Sequence, residues 1–200
     1  MKIKSIQQVK NLANKNVLVR VDFNVPIKGN KVLDNYKIKR SLATIKFLME
    51  KRAKVIIVSH LGRPNGVDKK LSLKPVAAEL GRFLQKNVRL LDFCHCEEAR
   101  GRRGNLSVAH TKPGDCFAKL AMTVDKLFPS AVVMLENIRF VKGEEECSEQ
   151  FSKELAGLAD IFILDGFGVA HRPAASVSGV AKYLPSYAGL LLEEEIDGLN

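Results

Sequence analysis

Short β-branched runs alternate with longer amphipathic stretches along this chain, and few folds accept that order. Residues 17–23 (VLVRVDF) predict a first strand, stopped by the Pro and Gly of NVPIKGN. Asp34 is placed to cap a helix with Ile38, Leu42, Ile45 and Leu48 or Met49 on one side, ending at the basic pair Lys51 and Arg52. KVIIVSH, from Lys54, predicts a second strand. After LGRPNG, Ser72 starts a helix with Pro75 in its first turn and Val76, Leu80, Phe83 and Leu84 on its apolar side. Residues 88–91 predict a third strand, and AVVML, ending at Leu135, a fourth, with ENIRF as a loop behind it. Ser148 caps a helix carrying Phe151, Leu155 and Leu158, and DIFILD, from Asp160, predicts the last strand. Strands separated by helices need crossover connections, so the expected fold is α/β: a Rossmann-like, three-layer parallel β-sheet with helices on both faces. Residues 97–129 show little clear periodicity and are treated as an atypical insertion.

With 200 residues, 46% of them apolar, one domain with a genuine core is the economical reading. No apolar stretch approaches membrane-spanning length, and the first ten residues lack the apolar run of a signal peptide, which predicts a soluble, cytoplasmic chain without membrane attachment. Cys94, Cys96, Cys116 and Cys147 form neither a disulfide framework nor paired zinc ligands, and Cys94, His95 and Cys96 are too close together to make a metal set unaided. Reduced thiols and no metal site are expected. The net charge of +10 would attract any polyanion. Nucleic acid ranks low despite the cluster Arg100, Arg102 and Arg103, because aromatics are only 6% of the chain and no recognised binding motif is present.

In an open parallel sheet, ligands bind beyond the carboxyl ends of the strands. Just past the predicted strands at that edge come Asp22 and Asn24, then His60 and Arg63, then Arg139, then His171 and Arg172. Guanidinium forks grip carboxylate and phosphate oxygens in bidentate fashion, so three arginines and a histidine beside one carboxylate suit a small, multiply negative ligand. Any one of these arginines alone would pass for a surface residue near a turn. No GxxxxGK[ST] loop occurs, and GFGVAH, from Gly166, lacks the third glycine or alanine of a dinucleotide fingerprint.

RVDFNVP from Arg20, SHLGRP from Ser59, LENIRF from Leu135 and DGFGVAHR from Asp165 resemble, in the same order, motifs of the phosphoglycerate kinases. The likeness runs from about Lys10 to the end, with 97–129 outside it. It implies a 3-phosphoglycerate-binding domain over residues 1–187. Residues 188–200 would begin the interdomain linker helix, with the nucleotide-binding domain lying outside this chain. The implied activity is phosphoryl transfer between 1,3-bisphosphoglycerate and ADP, giving 3-phosphoglycerate and ATP. The Mg-ATP or Mg-ADP belongs to the second domain, and the whole enzyme is expected to be a monomer.

Carried over, the resemblance sets Asp22 and Asn24 near the glycerate's hydroxyl and carboxyl end, and gives His60, Arg63, Arg139 and Arg172 its phosphate and charge. Lys37 stands where the family has an arginine that stabilises the moving phosphoryl group, and Arg40, one turn on, is a candidate substitute. The loop after Asp165 also departs from the family pattern, at Gly166, Val169, Pro173 and Ala174. A non-catalytic metabolite-binding half-enzyme is the alternative reading.

Overall fold

The computed structural model describes residues 4–93, 113–128 and 132–199. In chain order the strands are β1 (Asn16–Val21), β2 (Ile27–Lys28), β3 (Lys31–Val32), β4 (Lys54–Val58), β5 (Val88–Leu91), β6 (Val132–Leu135), β7 (Ile161–Asp165) and β8 (Ser186–Ala188). The helices are α1 (Tyr36–Glu50), α2 (Lys74–Leu84), α3 (Pro113–Leu127), α4 (Glu149–Ala156), α5 (Phe167–Ala170) and α6 (Leu190–Asp197). Six strands form one sheet in the order β5-β6-β4-β1-β7-β8, and all five pairings are parallel. β2 and β3 make a separate antiparallel hairpin.

Strand alternation divides the core in two. Val17, Val19 and Val21 of β1, with Val55 and Ile57 of β4, point to one face and meet Ile38, Ile45 and Leu48 of α1 and Val76 and Leu80 of α2. Leu18, Ile56 and Val58 point to the other, against Leu120 and Val124 of α3 and Phe151 and Leu155 of α4. Each such side chain is worth roughly 1.5–3 kcal/mol on burial, and a strand covered on both faces reads as one unbroken apolar run. Helices on both faces and an all-parallel main sheet agree with the sequence expectation.

The departures are local. β1 ends at Val21, so Asp22 and Phe23 already belong to the loop. The N-cap position of α1 is Asn35, although Asp34 Oδ1 does accept the Tyr36 amide at 2.8 Å. That of α2 is Leu73 rather than Ser72, whose hydroxyl oxygen accepts the Lys74 amide at 3.2 Å. ENIRF contains a 3₁₀ turn, Ile138–Phe140. Ser148 caps α4 as expected, accepting the Phe151 amide. The stretch read as lacking periodicity contains α3, whose Phe117 makes ring contacts with Phe93 and Phe151 at 6.2 and 5.8 Å. β8 runs across the boundary drawn between residues 187 and 188, so Ala188 is part of the sheet. The Cys94, His95 and Cys96 cluster and Arg100, Arg102 and Arg103 lie outside the described residues, as does the Cys116 side chain.

α6 is fastened by the carboxylate that ends β7. Thr44 donates to Asp165 Oδ1 at 2.7 Å and accepts the Leu190 amide at 2.9 Å, while the Leu191 amide donates to Asp165 Oδ1 at 3.1 Å. Gly189 is required there, because a β-carbon would collide with the Asp165 carboxylate. Burial pushes the Asp165 carboxyl from 3.8 up to about 6, against the pull of its hydrogen bonds to Thr44 and the α6 amides. A raised carboxyl favours the folded state most below its unfolded value, and that contribution is lost as pH rises through the folded one. The stability of Asp165→Asn minus that of the parent chain should therefore climb by up to roughly 3 kcal/mol between about pH 4 and pH 7, measured by urea denaturation. A flat difference would show that the carboxyl does not titrate in this window.

Candidate functional site

The rim beyond the carboxyl ends of β1, β4, β6 and β7 carries the polar residues the sequence singled out. Asp22, directly after β1, accepts the Lys37 ammonium at 2.8 Å and the Asn24 amide at 3.2 Å. Burial alone would raise its carboxyl, but the bond and charge of Lys37, with the Asn24 amide, hold it below the usual range. Lys37 is thus brought from the first turn of α1 onto Asp22. Arg40, one turn on, reaches the other way, to Glu194 of α6 at 3.0 Å. The two basic residues serve different neighbours.

His60 and Arg63 lie on the loop after β4. That loop turns at Gly62, whose φ of 62° favours glycine. Its amide donates to Asn24 Oδ1 at 3.0 Å, and its carbonyl accepts from the Arg139 guanidinium, so three strand ends are laced together at one residue. Asn137, fully buried, fixes the same loop: its Oδ1 accepts the amides of Leu61 and Arg139, and its Nδ2 donates to the carbonyls of Leu61 and Leu71 at 2.8 and 2.9 Å. Beside it, Glu136 accepts the Leu73 amide and the Ser72 hydroxyl at 2.7 and 2.6 Å, anchoring the start of α2.

Arg139 pairs with the exposed Glu145 at 3.0 Å. Its burial, and the like charges of Arg172 and Arg63, lower its pKa despite the Glu145 carboxylate. His60 is lowered to about 3, first by burial, then by Arg20 and Arg139, with Asp22 opposing and Arg172 adding to the effect. These mutual influences place Asp22, His60, Arg63, Arg139 and Arg172 in one electrostatic neighbourhood. Arg172 Nε is buried and finds no acceptor among the described residues. Asn24 and His171 are exposed. Among the described residues, no group of three or more His, Cys, Asp or Glu side chains is placed to hold a metal ion. Cys147 Sγ lies 3.6 Å from the Ser178 hydroxyl.

Sequence reasoning passed over Arg20, which is 2% exposed. Its Nε donates to Ser176 Oγ at 2.8 Å, Nη1 to the Val21 carbonyl, and Nη2 to His60 Nδ1 at 3.2 Å. A charged residue inside an otherwise apolar strand was the available signal, since such a group is retained only where partners satisfy it. Glu144, 2% exposed, was also missed: it accepts the Ser176 hydroxyl at 2.6 Å and amide at 2.9 Å.

The structure is a parallel α/β domain whose carboxyl rim gathers basic side chains beside one carboxylate, at the edge where open sheets of this kind leave room for a ligand. The phosphoglycerate kinase family model matches residues 6–200, so the chain belongs to that family. It is 46% identical over 187 residues to the phosphoglycerate kinase of Dictyoglomus turgidum, an alignment covering 94% of this chain and 42% of that one. The solved phosphoglycerate kinase of Coxiella burnetii superposes with a TM-score of 0.77 at 35% identity, over 99% of this chain and 44% of its own. That of Pyrococcus horikoshii gives 0.78 at 30%, over 98% and 45%. The chain therefore spans less than half the length of these relatives.

Asn137→Ala leaves the Leu61 amide and two carbonyls without their buried partner. It should cost about 2–4 kcal/mol in urea denaturation and speed amide exchange in the 59–64 loop first. Uniform exchange across the sheet would show that Asn137 does not hold this loop in particular.

Proposed function

We propose that this chain binds 3-phosphoglycerate on the carboxyl rim of its sheet and supplies the acyl-phosphate half of phosphoryl transfer to a magnesium nucleotide held by a second domain. The observation that carries the reading is the basic crescent itself, above all the buried Arg172 Nε without a protein acceptor among the described residues. Arg63, Arg139 and Arg172 take the ligand's phosphate and carboxylate charge. Asp22 and Asn24 receive its hydroxyl end, and His60 adds a hydrogen bond. Phosphoryl transfer through a loose transition state needs alignment, exclusion of water and positive charge rather than covalent help. Lys37 is the charge this domain brings to the moving group, and it must leave or share Asp22 to do so. No helix among the described residues is long and apolar enough to cross a membrane.

Titration calorimetry of the 200-residue chain with 3-phosphoglycerate should give saturable binding. Arg139→Ala or Arg63→Ala should weaken it by at least about tenfold, the worth of one good charge-assisted contact. Indifference of the chain to this ligand would overturn the proposal. Mg-ATP with 3-phosphoglycerate should give negligible turnover until a nucleotide-binding domain is supplied.

The Lys37–Asp22 ion pair favours a second reading, a metabolite-binding protein without turnover, because a lysine lacks the fork of the family arginine. Supplying the second domain separates the two: restored turnover, improved by Lys37→Arg, supports the kinase. Glycerate binding with no turnover in either form supports the binding protein.

A further inference from the structure

Four buried polar groups form a chain whose hydrogen-bond directions are fixed by chemistry. A guanidinium only donates. At its Nη2 end, 3.2 Å from His60 Nδ1, Arg20 requires a ring nitrogen carrying a lone pair. At its Nε end, 2.8 Å away, it requires Ser176 Oγ to accept. The single proton of the Ser176 hydroxyl then goes to Glu144 Oε1 at 2.6 Å, while the Ser176 amide fills Oε2 at 2.9 Å. Ser176 lies in the five-residue π-helical turn Ala175–Gly179, whose first amide is held by the Glu144 carbonyl at 2.9 Å. The chain thus runs from the segment after β6, through the turn after β7, to the end of β1 and the loop after β4.

We infer that Glu144 and Ser176 are positioning residues that hold Arg20 against His60 and thereby fix His60 as a neutral ring with its proton on Nε2. His60 then meets an acidic ligand as a hydrogen-bond donor without charge, and the positive charge of the site falls to the arginines and Lys37. The groups around the ring agree with this assignment. Burial opposes protonation of the ring, as do the charges of Arg20, Arg139 and Arg172, while Asp22 favours it. The 4.0 Å separation of His60 Nδ1 from Asp22 Oδ1 is consequently an approach of two acceptors, not an ion pair. Arg20 itself, although burial draws it down to about 10, stays cationic at neutral pH; burial raises the Glu144 carboxyl, and the Arg20 charge and the two Ser176 hydrogen bonds act against that rise.

The inference builds on the glycerate-binding reading, but its test is made first without ligand. In the full chain labelled with ¹⁵N-histidine, long-range proton–nitrogen correlation spectra report tautomer and charge for each of the four histidines, His60 being assigned through His60→Gln. The expected result is a single Nε2–H tautomer for His60, unchanged between about pH 5 and pH 8, against an ordinary histidine midpoint near 6.5. Ser176→Ala, which removes the Arg20 acceptor, should produce a mixed tautomer population and a midpoint that moves into this range. Glu144→Gln, which keeps an oxygen for the Ser176 hydroxyl, should do so to a lesser degree and serves if Ser176→Ala does not fold. An Nδ1–H tautomer in the parent, a His60 charged at pH 6, or two folded variants with an unaltered ring would each overturn the inference. Calorimetry then separates the two levels. Ser176→Ala should lose about tenfold in 3-phosphoglycerate affinity, equivalent to about 1.4 kcal/mol. A correct tautomer without any glycerate binding would count against the proposed function and leave the positioning chain standing.

Discussion

A guanidinium buried near the end of the central strand must be satisfied from every side or the fold gives up several kilocalories. Arg20 is that group, and its partners come from different parts of the chain: its own strand end, the loop after β4 and the turn after β7, with Glu144 behind that turn. One demand for hydrogen bonds therefore draws separate connections onto a common rim. The parallel sheet brings strand ends to the same edge, but it does not say how the loops above them lie. Arg20 and Asn137 do, the first holding the histidine and the second the loop that carries it.

The same economy recurs in the carboxylates that close strands. Glu136, after β6, receives the start of α2, and Asp165, at the end of β7, receives the start of α6. Each sets an anion at the positive end of a helix far off in sequence, where free amides need acceptors. Side chains at the carboxyl edge thus divide their work. Glu136, Asn137, Glu144 and Asp165 are buried and spent on the protein itself, whereas Arg63, Asn24 and Lys37 remain exposed. Asp22 stands between the groups, half-buried, with a cation and an amide already on it.

Much of this is legible in the residues alone. The β1, β4, β6 and β7 runs and the α1, α2 and α4 periods are readable because local repeat and burial coincide there. Two kinds of short strand escape for lack of length: β2 and β3 are two residues each, and β8, with three, sits in YLPSYAG, where no alternation can build up. α3 is passed over although Pro113 opens it and Phe117, Leu120, Val124 and Leu127 recur at helical spacing. Cap positions slip by one residue at Asp34 and Ser72, since those side chains serve amides close to the positions expected of them. Arg40 reads as a candidate substitute for Lys37 because residues three apart share a helix side. Its contact with Glu194 is settled by α6, which periodicity in α1 does not reveal.

By itself the sequence determined the order of strands and helices, the parallel sheet, and hence which residues would gather along its carboxyl edge. Those depend on side-chain period and on the geometry of crossover connections, which are local matters. Only the tertiary structure decided what each polar residue does. The Arg20 to Ser176 bond spans 156 residues, Thr44 to Asp165 spans 121, and Asn137 to Leu61 spans 76. Donors and acceptors are nearly interchangeable in sequence, so their pairing is chosen by whichever groups packing leaves dry beside one another.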